Sequence, residues 1–105
     1  MAFEEGPLRA VLATTGRKTG REHAVELRAV FYKGRFYFSR RNPESDWLKN
    51  AMANPQVSVT VGGSTFGGTA SLVTDEALAK TISSLKYSDR RADEARVVLE
   101  VTLYG

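Results

Sequence analysis

Cysteine is absent from this 105-residue chain, and histidine occurs once, as His23. Without a thiol there is no disulfide, no thiolate nucleophile and no cysteine metal ligand, and one imidazole cannot build a multi-histidine centre. No apolar run approaches the ~18 consecutive residues of a membrane-spanning helix. The opening MAFEEGPLRA lacks the basic start and apolar stretch of a secretory signal. The expectation is a cytoplasmic protein with no membrane span. Neither paired carboxylates at a recognisable spacing nor a serine or cysteine nucleophile context is present, which leaves hydrolytic chemistry without support.

What is present is ordinary for a globular domain: 42% hydrophobic and 26% charged residues. The length argues for one domain over residues 1–105. Lys and Arg number 15 against 12 Asp and Glu, a net charge of +3. That balance suits an anionic small ligand without demanding nucleic acid. A chain this short also gains stability from a bound cofactor or a second copy.

Period-two alternation dominates the chain. LRAVLATT (8–15) reads as a strand, and HAVELRAVFYKGRFYFSR (23–40) as two strands joined at Lys33-Gly34. Val25, Leu27, Ala29 and Phe31 alternate on the first arm, Phe36 and Phe38 on the second. NPESDWLKNAMANP (42–55) reads as a short helix with Asn42 as cap and Pro43 in its first turn, ended by Asn54-Pro55. Trp47, Leu48, Ala51 and Met52 fall on one side of it. QVSVTV (56–61) is a strand, GGSTFGG (62–68) contains a turn, and TASLVT (69–74) continues the next strand. DEALAKTISSLKY (75–87) is a second helix presenting Leu78, Ile82 and Leu85. SDRRADEA (88–95) reads as a loop, and RVVLEVTLY (96–104) as a last strand. The order β-β-β-α-β-β-α-β, with short connections, predicts a mainly β (α+β) fold. Six antiparallel strands with two short helices would close into a barrel and so remove their exposed edges.

One turn carries more charge than a hairpin needs. TTGRKTGRE (14–22) sets Arg17, Lys18 and Arg21 among Gly16, Gly20 and small hydroxyl residues. Its backbone N–H groups can converge into an anion nest, and its cations add charge and the bidentate arginine fork. The bland alternative is a solvated turn that aids solubility. A second basic group, Ser39-Arg40-Arg41, leads into the first helix, whose N-terminus also favours anions. Trp47 either stacks on a flat ring or fills the core, with core packing the better fit to its helical spacing. Asn50 would bond a ligand or a neighbouring loop. His23 is a strand-edge or phosphate-facing residue. Tyr87 is a structural tyrosine at the end of the second helix, or one that covers a pocket and donates a proton.

LATTGRKTGREHAVEL, then FYFSRRNPESDWLKNAMANPQVSVTV, then an acidic-start helix and a last strand beginning RVVLEV, together resemble the deazaflavin-dependent nitroreductase family. That family belongs to the split β-barrel flavoproteins related to pyridoxamine 5′-phosphate oxidase, of the FMN-binding split-barrel type. The resemblance spans roughly residues 8 to 104. It implies a reductase that holds a deazaflavin (coenzyme F420) or FMN and passes hydride to a small quinone- or nitro-type electron acceptor. It places Thr15, Gly16, Arg17, Lys18 and Thr19 in the phosphate loop, with Arg21 and His23 beside them. Ser39, Arg40 and Arg41 fall at the cofactor-contacting strand end, Trp47 and Asn50 on the cofactor helix, and Tyr87 near the substrate as a candidate catalytic residue. It also implies a homodimer, for which the Val57–Val61 strand and the C-terminal strand offer apolar surface.

Two other readings use the same features. A small basic barrel could bind single-stranded nucleic acid, with Tyr32, Phe36 and Tyr37 as exposed stacking platforms. A non-catalytic flavin-binding protein would need the same phosphate loop as the reductase.

Overall fold

A computed structural model describes residues 3–40, 45–87 and 97–104. The alternating segments form strands β1 (Gly6–Thr15), β2 (Glu22–Tyr32), β3 (Arg35–Arg40), β4 (Gln56–Val61), β5 (Ser64–Leu72) and β6 (Val97–Leu103). Helices α1 (Asp46–Ala53) and α2 (Glu76–Lys86) follow β3 and β5. The strands close into a barrel in the order β1-β2-β3-β6-β5-β4, with every neighbouring pair antiparallel. β1 pairs with β2 along its whole length, from Gly6 opposite Phe31 to Thr15 opposite Glu22. It meets β4 only at Val11–Ala13, and that short contact closes the barrel.

Turn chemistry fixes the registers. Lys33 and Gly34 both adopt left-handed conformations (φ 49 and 80), as do Gly62 and Gly63 (φ 57 and 86). Two-residue turns of this kind match the twist of the strands they join.

The alternating apolar residues point inward. Leu12, Phe36, Phe38, Val59, Leu99 and Val101 are fully buried there, each contributing about 1.5–3 kcal/mol by leaving water. α1 lays Trp47, Leu48 and Ala51 on this core. The outer face is covered too: Val30, Tyr37 and Val98 pack under Ile82 of α2. The sheet is therefore buried on both faces where α2 lies across β2, β3 and β6.

Several expectations need correcting. α1 begins at Asp46 with Ser45 in the N-cap position, its hydroxyl making no cap bond, and Asn42 and Pro43 lie outside the described residues, as does the 88–95 loop. Met52 is 50% exposed and does not join the core. Val57 and Val59 face the barrel interior and offer no interface surface. Phe36 and Tyr37 are buried, so they cannot serve as stacking platforms for nucleic acid. α2 is capped by Asp75, whose carboxylate accepts from the N–H groups of Ala77 and Leu78. No described helix is long and apolar enough to cross a membrane.

Candidate functional site

The basic turn folds back on itself. Gly16 N–H donates to the carbonyl of Arg21 at 2.7 Å, and Gly20 N–H to the carbonyl of Gly16 at 2.9 Å. Thr19 Oγ1 accepts from Arg21 N–H at 3.2 Å and lies 3.4 Å from His23 Nε2. Gly16 leaves room for two side chains: a Cβ there would sit 2.7 Å from both His23 Nε2 and Thr19 Oγ1, and both would have to shift. Glycine thus lets the turn pack on the first residues of β2.

α1 holds this turn from the other side. The Asn50 side chain is buried, and its Oδ1 accepts from Arg17 twice: from the main-chain N–H at 3.2 Å and from Nη1 at 2.7 Å. Arg17 Nη2 reaches Asp46 Oδ1 at 3.4 Å. One turn further along α1, Asn54 Nδ2 donates to the carbonyl of Thr15 at 3.5 Å. Asn50 within α1 and Asn54 at its C-cap therefore tie the helix to the end of β1 and to its loop. Arg40, at the end of β3, donates from Nε to Ser45 Oγ at 3.0 Å, next to the helix start.

Between these elements lies a cleft of about 490 Å³, a size that suits a small-molecule cofactor. Gly16, Lys18, Thr19 and His23 form one wall. Arg40 and Ser45 form the floor toward β3, and Asp46, Trp47 and Asn50 the helix wall, with Arg17 crossing between loop and helix. Members of both basic groups singled out in the sequence, Arg17 and Lys18 from one and Arg40 from the other, thus line the same cavity. Among the described residues, no carboxylate pairs with Lys18 or Arg40. Trp47 is at once core and wall: its ring meets Phe38 edge-on at 6.3 Å and also lines the cleft.

Other residues expected at a site lie elsewhere. Thr15 offers its carbonyl to Asn54. Arg21 is exposed on the far side of the turn and does not line the cleft. Ser39 faces outward under α2, where the buried Lys86 ammonium donates to its carbonyl at 3.3 Å and its hydroxyl at 3.1 Å. Tyr87 ends α2 with its ring 5.9 Å from the Arg28 guanidinium, away from the cleft. Arg41 lies outside the described residues. Sequence reasoning did not single out Ser45, Asp46 or Asn54. The four-residue spacing of Asn50 and Asn54 was the available signal.

What the cleft offers chemically is anion binding beside an aromatic wall. Its lining carries three cationic side chains, of which Arg17 is tied to α1, together with the Asp46 carboxylate, hydroxyl groups and an imidazole, and among the described residues no group of acidic, histidine or cysteine side chains could hold a metal. The model of the family described as F420H(2)-dependent quinone reductase matches residues 1–97. Among solved structures, an F420-H2 dependent reductase (FDR-A) is similar with a TM-score of 0.71 and 25% identity, over 89% of this chain and 92% of that one. A domain-swapped dimer matches with a TM-score of 0.71 and 25% identity, over 89% and 78%. A protein of Listeria innocua named for pyridoxamine 5′-phosphate oxidase shares the fold at 18% identity, with a TM-score of 0.72 over 92% and 84%. No curated protein matches the chain.

Proposed function

The chain belongs to the F420H2-dependent quinone reductase family, and on that premise we propose that the cleft between the 16–21 turn and α1 is the coenzyme site. The protein is an oxidoreductase whose coenzyme is F420. The deazaflavin supplies the hydride chemistry when bound, and the protein's own residues bind, orient and shield it. The observation that carries the placement is the convergence of Lys18 and Arg40 on one cavity walled by Trp47. Lys18 and Arg40 would meet the coenzyme's anionic part by charge-assisted contacts. Trp47, held in a T-shaped contact with Phe38, would offer a fixed flat surface to a ring system.

The acceptor is proposed to be a small quinone- or nitro-type molecule. We also propose a cytoplasmic homodimer of a single barrel domain. The domain-swapped relative supports a dimer, as does the apolar groove of Leu48, Met52 and Leu72 beside α1. FMN, the cofactor suggested by the wider fold, is the comparison arm of the test. Purified protein is titrated separately with coenzyme F420 and with FMN, following cofactor fluorescence. Saturable binding of F420, tighter than that of FMN, is expected. Absence of saturable F420 binding would sink the site.

A further inference from the structure

We propose that Asn50 is a positioning residue that acts on the coenzyme through Arg17, and that Arg17 is itself a strut of the site rather than an anion ligand. The inference rests on the cleft being the coenzyme site.

Arg17 opens the basic run, and on composition alone its charge is as free as that of its neighbour. The structure separates the two. Asn50 is 5% exposed, and its Oδ1 takes both the main-chain N–H of Arg17 and its Nη1. A carboxamide oxygen has two lone pairs, so this acceptor is filled by one residue. Both donors also settle which end of the amide faces the loop, since only oxygen can accept them. Nη2 is turned to Asp46. The Arg17 side chain is 26% exposed, whereas Asp46 is 88% exposed, so the Asp46 contact adds little and the Asn50 contact carries the tie. The guanidinium is planar, and two of its nitrogens are already directed at α1. Lys18, the next residue, lines the cavity and has no carboxylate partner among the described residues. In this turn the first cation builds the site and the second faces its contents.

The consequence is a preformed turn. Ordering a loop on binding weakens affinity, and a helix-anchored loop has met that cost in advance.

The test is a double-mutant cycle on the whole chain with Arg17→Met and Asn50→Leu, measuring the Kd for coenzyme F420. Either substitution alone is expected to raise Kd ~5-fold: both remove the Nη1 bond to Asn50, Asn50→Leu with the main-chain bond of Arg17 and Arg17→Met with the weak Asp46 contact. In the Asn50→Leu background, Arg17→Met should then change Kd by less than ~2-fold. Equal effects of Arg17→Met in both backgrounds would overturn the proposal, because Arg17 would be meeting the coenzyme directly. A ligand-free measurement stands independently and needs no Asn50 variant. Amide exchange of residues 17–20 should be ~5-fold faster in Arg17→Met than in wild type. Unchanged exchange in the free protein would also overturn it. If wild type fails to bind F420 while the exchange result holds, the coenzyme placement fails and the strut stands.

Discussion

Tyr37 on β3 and Glu100 on β6 face each other in register, and the phenol donates to the Glu100 carboxylate at 2.9 Å. Arg35 reaches the same carboxylate at 3.3 Å. Burial, then the bond to Glu100, pushes the Tyr37 phenol up to about 12 from its ordinary 10.0. In the unfolded chain the phenol loses its proton near its ordinary value, so above that pH the unfolded state holds fewer protons than the folded one. The stability contribution is therefore complete below pH 10 and lost between pH 10 and 12. Tyr37→Phe should flatten this part of the profile, which is on the order of 2–3 kcal/mol. Urea denaturation of both proteins from pH 9 to 12 checks it. Parallel profiles would contradict the linkage.

Gly68 and Gly67 are neighbours on β5 with opposite expected tolerance. A Cβ on Gly68 would meet Val101 Cγ1 at 2.7 Å and the Thr102 carbonyl oxygen at 2.8 Å. The second of these is backbone and cannot swing aside. Gly68→Ala should cost about 1–3 kcal/mol. A Cβ on Gly67 would meet only the Tyr104 ring, at 3.1 Å, and that ring is exposed, with one 3.2 Å bond from Thr69 to its hydroxyl, so a shift of a few tenths of an ångström costs little. Gly67→Ala should cost less than about 1 kcal/mol. Thermal melts of the two variants side by side decide the order.

Thr14 is buried, and among the described residues its hydroxyl has no hydrogen-bond partner. An unmade bond of this kind is a standing cost of about 1–3 kcal/mol. Thr14→Val removes the hydroxyl at nearly constant volume. The variant should be as stable as wild type or more so by urea midpoint. A loss beyond about 1 kcal/mol would show that the hydroxyl is satisfied after all.

Removing one cleft cation should weaken coenzyme binding without unfolding the barrel. Lys18→Ala and Arg40→Ala are each expected to raise the F420 Kd about 10-fold, or about 1.4 kcal/mol. Fluorescence titration measures it, with a melt to confirm that stability stays within about 0.5 kcal/mol for Lys18→Ala. Unchanged Kd in both variants would move the anion elsewhere.

The strands were readable because alternation and turn residues agreed at every hairpin, as at Lys33-Gly34. The α1 start was not, because Asn42-Pro43 and Ser45 are both competent caps and helix boundaries are the weakest part of a sequence reading. Ser39 shows what parity alone could have told. With Phe36 and Phe38 inside the barrel, Tyr37 and Ser39 must face out, and there Lys86 takes Ser39. Tyr87 was beyond such reasoning. Where the end of α2 falls depends on how the chain crosses the barrel, which no local pattern encodes. The meeting of the two basic groups was half legible: β1, β2 and β3 are neighbours in the barrel as in sequence, but their shared cavity exists only once α1 has docked.

The unequal pairing of β1 bears on how the molecule assembles. Its ladder with β2 runs the length of the strand and joins residues close in sequence. Its three-pair contact with β4 joins Val11 to Thr60 and must close a long stretch of chain. Loop-closure entropy puts the local hairpin ahead of both long-range closures, β1 with β4 and β3 with β6. The basic turn sits at the tip of that early hairpin. The turn's residues are therefore gathered early, at the tip of a hairpin, and the docking of α1 then brings Asn50 and Asn54 to hold them.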